Sequence, residues 1–262
     1  MAAHEIDFQI VGSEMQYVVI ELDPGETVMA EAGAMMYMNP DIVMQTRMGD
    51  GSEKGIFGKL LGAGKRMLTG ESLFLTTFTH EGRNKSHVAF GAPYPGHILP
   101  MRLDQLGTLL CQKESYLCSA LGIEVGIAFT RRFGAGLFGG EGFVLQRLSG
   151  DGLAFVHAGG TTAHKTLGPG EELLIDTGCI VAFQESVEYD IQMVKGIKNW
   201  FFGGEGLFLA RLTGPGQIWL QSLPFSRLAN RIYKSAPAAG GRRVGEGSIL
   251  GGLGGLLDGD NR

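Results

Sequence analysis

Three glutamates recur at matching places in this chain and are its clearest candidates for acid–base chemistry. Glu71, Glu141 and Glu205 each follow a glycine at the start of a similar segment. The segments are GESLFLTTFTHEG (70–82), GEGFVLQRLSGDG (140–152) and GEGLFLARLTGPG (204–216). Two carboxylates can share acid and base roles when their pKa values diverge. A repeat explains these positions without chemistry, so we predict that the carboxylates accept backbone N–H groups at turns and pair with Arg147 and Arg211.

The six histidines are the other side chains that could hold a metal or a proton. None lies in an H-x-H or H-E-x-x-H pattern, and the chain has no C-x-x-C pair, which are spacings that zinc sites use. His157 and His164 could converge on a metal across a bent β-segment, so a metal-dependent enzyme stays open as an alternative. Histidines with local hydrogen bonds are more common. The sequence therefore predicts no catalytic residues, no metal and no cofactor.

Glycine-rich stretches match nucleotide-binding motifs only by letter. Residues 134–139 read GAGLFG, but the dinucleotide fingerprint opens a helix, and here a strand-like run follows. Gly64-Lys65 lacks the earlier glycine of a P-loop and is followed by Arg66 instead of Ser or Thr. No G-x-S-x-G elbow is present for an acyl-transfer serine.

The segments before each Gly-Glu pair differ from one another and form the predicted interaction surface. They span 54–68, 130–138 and 198–202, and each is basic and apolar in a chain whose net charge is −5. Basic amphipathic segments can lie on membranes, whereas apolar loops also pack in interfaces between units or subunits, and both remain open. The predicted contact residues are Phe57, Lys59, Lys65, Arg66, Arg131, Arg132, Phe133, Lys198, Trp200, Phe201 and Phe202.

The elements that position these segments are predicted to be β-strands. Short apolar runs alternate with turn clusters such as 149–152 and 213–216, which we expect to close β-hairpins. Phe155 and Trp219, in the second run of each hairpin, are expected in the core. Forty-three glycines in 262 residues exceed ordinary usage and suit tight turns rather than helices. The predicted fold class is all-β.

The repeat also predicts the domain organisation. We expect one domain over 1–234, with units at about 16–104, 105–166 and 167–228. Pro-Gly-Glu turns open the first and third units, at Asp23–Glu26 and Gly168–Glu171, and the middle unit lacks this turn. Residues 235–262 are expected to form a glycine-rich flexible tail or, alternatively, an apolar hook that docks on a neighbouring subunit.

Composition narrows the setting of the protein. A pI near 5.7 argues against nucleic acid as a partner. Residues 1–8 lack the basic and apolar regions of a secretory signal, and no apolar run approaches the ~20 residues of a membrane span. The odd set Cys111, Cys118 and Cys179 is expected to consist of buried thiols in a reducing compartment. We therefore predict a soluble, cytoplasmic protein.

The combined motifs resemble a known family. The repeated GEGxxLxRLTGxG block, the early AEAGAMMYM and the FGGEG loops are similar to the family of the mitochondrial "altered inheritance of mitochondria" protein twenty-four, over about residues 5–230. The resemblance implies a bacterial member, formerly a domain of unknown function. It also implies a fold like that of the tryptophan RNA-binding attenuation protein, TRAP, with three TRAP-like β-units of the short double-stranded β-helix or sandwich type. A ring-like homo-oligomer, a trimer, would follow.

The functional prediction is a non-enzymatic scaffold or binding protein that acts at a membrane surface or with a protein partner. Mitochondrial relatives are tied to inner-membrane organisation, which suits the basic, apolar loops. The resemblance supplies no catalytic residues, and likeness of fold does not transfer RNA binding. A small-molecule-binding protein with sites between β-units is the main alternative.

Overall fold

The computed structural model describes residues 2–31, 33–48, 74–131, 143–193 and 208–235. The chain divides into two compact parts, Met1–Phe225 and Ser226–Arg262. Strands are the main regular structure among the described residues of the first part, which confirms the all-β prediction.

The strands follow one another closely along the chain. They are β1 Asp7–Val11, β2 Tyr17–Leu22, β3 Thr27–Glu31, β4 Met35–Met38, β5 Ile42–Met48, β6 Phe74–His80, β7 Ser86–Gly91, β8 Gly96–Arg102, β9 Leu109–Gln112, β10 Tyr116–Ala120, β11 Glu124–Arg131, β12 Phe143–Ser149, β13 Leu153–Gly159, β14 Thr162–Leu167, β15 Glu172–Asp176, β16 Ile180–Gln184, β17 Glu188–Met193, β18 Phe208–Thr213 and β19 Gly216–Gln221. One helical turn, α1, covers Leu103–Leu106, and 3-10 turns cover Lys113–Ser115 and Thr177–Cys179. A helix, α2, covers Phe225–Ser235, where apolar residues recur every three to four positions.

Among the described residues the strands form four antiparallel sheets. Their orders are β1-β2-β7-β4, β5-β6-β3-β10-β13-β8, β11-β12-β9-β16-β19-β14 and β15-β18-β17. β3, β9 and β15, which we call the a-strands, each lie beside β6, β12 or β18. β4, β10 and β16, the b-strands, each lie beside β7, β13 or β19. The six-stranded sheets arise because β3 pairs with β10 and β9 pairs with β16, and we call these two pairings junctions.

The hairpins predicted at the turns 149–152 and 213–216 are wrong. β12 pairs with β11 and β9, whereas β13, beyond the turn, pairs with β10 and β8 in another sheet. β18 and β19 separate between sheets in the same way. Turn residues encode a chain reversal but not the sheet that receives the next strand. Because β13 is buried along its whole length, packing between the sheets decides where it lies.

The two predicted Pro-Gly-Glu turns are confirmed, and the same two hydrogen bonds form within each of them. In the first, the Asp23 N–H donates to the Glu26 carboxylate at 2.8 Å, and the Glu26 N–H donates to the Asp23 carbonyl at 3.0 Å. Gly168 and Glu171 repeat both bonds, at 2.9 and 3.0 Å. The third residue of each turn has a positive φ, 89° at Gly25 and 73° at Gly170, which favours glycine. In the middle stretch α1 stands where this turn is missing.

In the part of the chain that the structure describes, three clusters of buried apolar side chains form the core between the sheets. Phe155 and Trp219 are buried, as predicted. Phe8 meets Phe155 edge-on, with ring centroids 5.0 Å apart. Cys111 and Cys118 are buried, and burial raises the pKa of both thiols, to about 12 for Cys111. The prediction of a buried thiol is wrong for Cys179, which is half-buried because it ends the 3-10 turn before β16.

Candidate interaction surface

The predicted interaction loops all connect strands of one kind. They join β5 to β6, β11 to β12 and β17 to β18, and each pair is an antiparallel hairpin whose second strand also borders an a-strand. Arg131 ends β11, with its backbone opposite Phe143 at the start of β12. The other predicted contact residues lie outside the described residues: Phe57, Lys59, Lys65, Arg66, Arg132, Phe133, Lys198, Trp200, Phe201 and Phe202.

The repeated glutamates also lie outside the described residues, but their predicted arginine partners do not. Arg147 donates from Nε to Glu185 Oε1 at 2.9 Å and from Nη2 to Glu185 Oε2 at 3.3 Å. It also donates to the hydroxyls of Ser149 and Thr108. The Arg147 guanidinium lowers the pKa of the Glu185 carboxyl. Arg211 Nε lies 3.9 Å from Glu172 Oε2. Pairing of the two arginines with the repeated glutamates stays a prediction, because those glutamates lie outside the described residues.

His157 and His164 have different surroundings. His157 is buried against the ring of Tyr94, with centroids 4.4 Å apart, and neither ring nitrogen meets hydrogen-bond geometry. Burial lowers the pKa of His157 to about 4, against a smaller opposing effect of the Tyr94 backbone. His164 stacks on Trp219 at 5.0 Å and shares a 2.9 Å hydrogen bond with Gln217. Among the described residues no three His, Cys, Asp or Glu side chains are grouped as metal ligands would be.

His80 takes the position at the end of β6 that is occupied by glycine after β12 and β18. Its side chain is fully buried, with Nδ1 3.6 Å from Asp41 Oδ2 and Nε2 against the Asn84 carbonyl. Asp41 also accepts a hydrogen bond from the Ser86 hydroxyl, which lowers the pKa of that carboxyl. These contacts tie the turn between β6 and β7 to the start of β5, a structural role.

Two sheet edges that the sequence did not single out expose large apolar side chains. β4 and β15 are edge strands in their sheets, and both expose large apolar side chains. In β4, Met36 is 54% exposed and Tyr37 46%; in β15, Leu174 is 56% exposed. An exposed apolar edge is a template for a further strand. The sequence feature that could have indicated this edge is the run MMYM in AEAGAMMYM. All four residues are apolar, whereas a strand with one solvent-exposed face alternates apolar and polar residues.

None of the described helices has the length and apolar character needed to cross a membrane.

Comparisons with known proteins agree with the fold. The crystal structure of a Streptococcus pyogenes protein superposes with a TM-score of 0.69 at 24% identity, covering 88% of this chain and 100% of that chain. An uncharacterized protein of Streptococcus pyogenes serotype M6 is 28% identical over 234 residues, 87% of this chain and 91% of the relative. The family model for mitochondrial biogenesis AIM24 matches residues 8–223. The resemblance noted in the sequence is thus confirmed, and the chain belongs to the mitochondrial biogenesis AIM24 family.

Proposed function

We propose that this protein is a non-enzymatic scaffold that binds an anionic membrane surface from the cytoplasm through its three basic, apolar loops. The observation that supports the proposal is which described strands the loops join. Each loop connects the two strands of a hairpin that lies beside an a-strand. The same arrangement of strands therefore occurs three times, each time with a different loop. A side chain needed for the fold would recur, whereas these segments vary in length and sequence.

The proposal treats the three strand sets as copies of one TRAP-like β-unit. Each copy then has six strands: β2 to β7 in the first, β8 to β13 in the second and β14 to β19 in the third. Strands at the same place in each copy pair in the same way. Bulges support the equivalence, since every b-strand skips one residue against its neighbour, at Met36, Leu117 and Val181. β-Bulges are kept as designed features within families, so three at one position favour copies of one unit.

Charge supports a membrane as the partner. The first loop carries Lys54, Lys59, Lys65 and Arg66 without an acidic residue between them, although the chain as a whole has a net charge of −5. A basic residue near an anionic bilayer contributes about 1 kcal/mol, and interleaved apolar residues add burial in the headgroup region. A homo-oligomeric ring, a trimer in this proposal, multiplies the number of loops that bind together and raises the avidity.

Vesicle sedimentation tests the proposal. The variant K59E/K65E/R132E reverses charge on two of the loops, and R83E/R102E/K165E reverses equal charge at exposed positions on the described strands and turns. We expect the wild type and the second variant to sediment with phosphatidylglycerol vesicles, and the loop variant to bind at least about ten-fold more weakly. Equal binding by all three proteins would contradict the proposal, and so would equal loss in both variants. If the wild type binds no vesicles but binds a protein from a cell lysate, and the loop variant does not, the partner of the loops is a protein and not a membrane.

A further inference from the structure

The two junctions join an a-strand to a b-strand in the same register. In the first, Cys118, Ser119 and Ala120 of β10 lie opposite Ala30, Met29 and Val28 of β3. In the second, Ala182, Phe183 and Gln184 of β16 lie opposite Cys111, Leu110 and Leu109 of β9. In both, pairing starts at the residue directly after the bulge of the b-strand. The same strand pairing, in the same register, therefore connects β3 to β10 and β9 to β16.

Within the described ranges, the third a-strand and the third b-strand lack such a partner. β15 pairs only with β18, and β4 pairs only with β7, so each leaves one edge open in the described structure. Their positions can be matched through the strands that they do pair with. Leu174 lies opposite Arg211 as Leu110 lies opposite Arg147. Tyr37 follows the bulge in β4 as Cys118 follows it in β10.

Burial separates the open strands from the paired ones. Leu174 is 56% exposed, whereas its counterparts Met29 and Leu110 are 1% and 7% exposed. Tyr37 is 46% exposed, while its counterparts Cys118 and Ala182 are fully buried. The open strands therefore carry apolar residues like those of the paired strands, but no described strand lies beside them to bury these residues. A surface of this kind indicates a partner that supplies the missing strand.

We propose that β15 of one copy of this chain pairs with β4 of a second copy, in the register of the two internal junctions. Ile175, Leu174 and Leu173 would then lie opposite the second copy's residues Tyr37, Met38 and Asn39. The occupant is a second copy because the chain itself carries the complementary edge, and continuing a pairing that it already uses twice needs no new geometry. An aromatic side chain opposite a β-branched one, as in Tyr37 and Ile175, is a favourable cross-strand pair.

The proposal fixes the symmetry of the assembly. Two different edges meet, so the interface is heterologous, and it closes into a ring or continues as a filament according to the rotation between copies. Pro40 limits the length of the proposed strand pairing between β15 and β4. The internal junctions each add a backbone bond beyond the paired strands, from the Leu121 N–H to the Thr27 carbonyl and from the Glu185 N–H to the Thr108 carbonyl. Pro40 stands at the matching position and has no N–H to donate.

This inference goes beyond the membrane role of the loops and stands without it, because its test measures self-association in the absence of vesicles. In a Cys179→Ser background, one preparation carries Tyr37→Cys and another carries Ile175→Cys. We expect a disulfide-linked dimer only after the two preparations are mixed, dissociated and reassembled under oxidising conditions. A mixture of Tyr37→Cys with Leu173→Cys, which moves the thiol two residues along β15, should cross-link poorly because the spacing exceeds disulfide geometry.

Native mass spectrometry provides a second readout that needs no cross-link. Leu174→Asp should shift the protein from oligomer to the single-chain mass of 28.0 kDa. Met44→Asp, a matched change of a 49% exposed residue on the edge strand β5, should leave the oligomer intact. A wild type that is monomeric at micromolar concentration would overturn the proposal. Disulfide dimers formed by either cysteine variant alone would also overturn it, because they would show that like edges pair.

Discussion

Leu110 and Leu174 occupy the same place in the strand pairing, and only Leu110 is covered. Each lies opposite an arginine of the neighbouring strand, Arg147 and Arg211 respectively. Leu110 is covered by β16, which continues its sheet, whereas no described strand continues the sheet beyond Leu174. The difference in exposure therefore arises from the neighbour, since the residue type and the local pairing are shared.

Alanine at these two positions should separate chain stability from assembly. Leu110→Ala should lower the free energy of unfolding by about 2–5 kcal/mol, because it removes buried methyl groups and leaves a cavity. Leu174→Ala should change the free energy of unfolding of the dissociated chain by less than about 0.5 kcal/mol. Urea unfolding at a protein concentration low enough for dissociation measures both. A large loss at Leu174 under those conditions would show that this side chain is covered within its own chain.

Phe155 should be among the costliest side chains to truncate. It is fully buried in β13 between two neighbouring strands. Phe155→Ala should lower the free energy of unfolding by about 3–5 kcal/mol. Phe8→Ala removes the partner ring of the same aromatic pair from a 36% exposed position, so its cost should be smaller. Equal costs in thermal or urea unfolding would contradict this ranking.

His157 should make stability depend on pH. Its pKa is about 4 in the folded protein, against about 6.5 for an unperturbed histidine. Between these values the unfolded chain binds more protons, so the free energy of unfolding falls as the pH is lowered from 6.5 towards 4. The contribution of His157 is complete above pH 6.5, and its loss can reach about 3 kcal/mol.

The matched variants for this prediction are His157→Leu and His164→Leu. Leucine at 157 removes the titrating group, and neither ring nitrogen of His157 makes a hydrogen bond of good geometry in the described structure. Urea unfolding at pH 7 and pH 5 should show a smaller pH effect in His157→Leu than in the wild type. His164→Leu makes the same change of residue type at an exposed position and is the control for the substitution itself. A wild-type pH effect that persists in His157→Leu would assign it to other groups.

The turn glycine Gly25 should be needed for its backbone conformation and not for space. A Cβ at Gly25 would meet nothing within 4 Å, but φ is +89°. Gly25→Ala should therefore cost about 1 kcal/mol of unfolding free energy, and Gly25→Asn less, because asparagine tolerates positive φ better. Gly168→Ala is the control, since its φ is not positive and its nearest contact would be 3.7 Å away. Differential scanning calorimetry of the three variants would resolve the order.

The sequence predicted the features that depend on local chemistry. Pro-Gly-Glu residues specify their turns through positive φ at glycine and a carboxylate that reaches back to the chain, and both turns form as expected. The burial of Phe155 and Trp219 followed from apolar runs between turn clusters. These signals lie within a few residues of each other, so a single sequence contains them.

Features that depend on distant residues were not predicted. Ser149–Gly152 marks a reversal, but β13 joins β10 and β8 because of packing against strands far along the chain. The open edges of β4 and β15 were missed for the same reason, since their apolar residues match those of covered strands and only the sheet order shows that they lack a neighbour. The loop residues of the proposed membrane surface stay a prediction, and only Arg131 is partly placed, by its backbone in β11.

The junctions also impose an order on folding during synthesis. β3 obtains its second neighbour only after β10 has left the ribosome, and β9 only after β16 has done so. A nascent chain that stops between these strands has an unpaired apolar edge, which is where misassembly and recruitment of chaperones begin. Pauses in translation between residues 31 and 116 should therefore harm the yield of soluble protein more than pauses after residue 184, when both internal partners have been made.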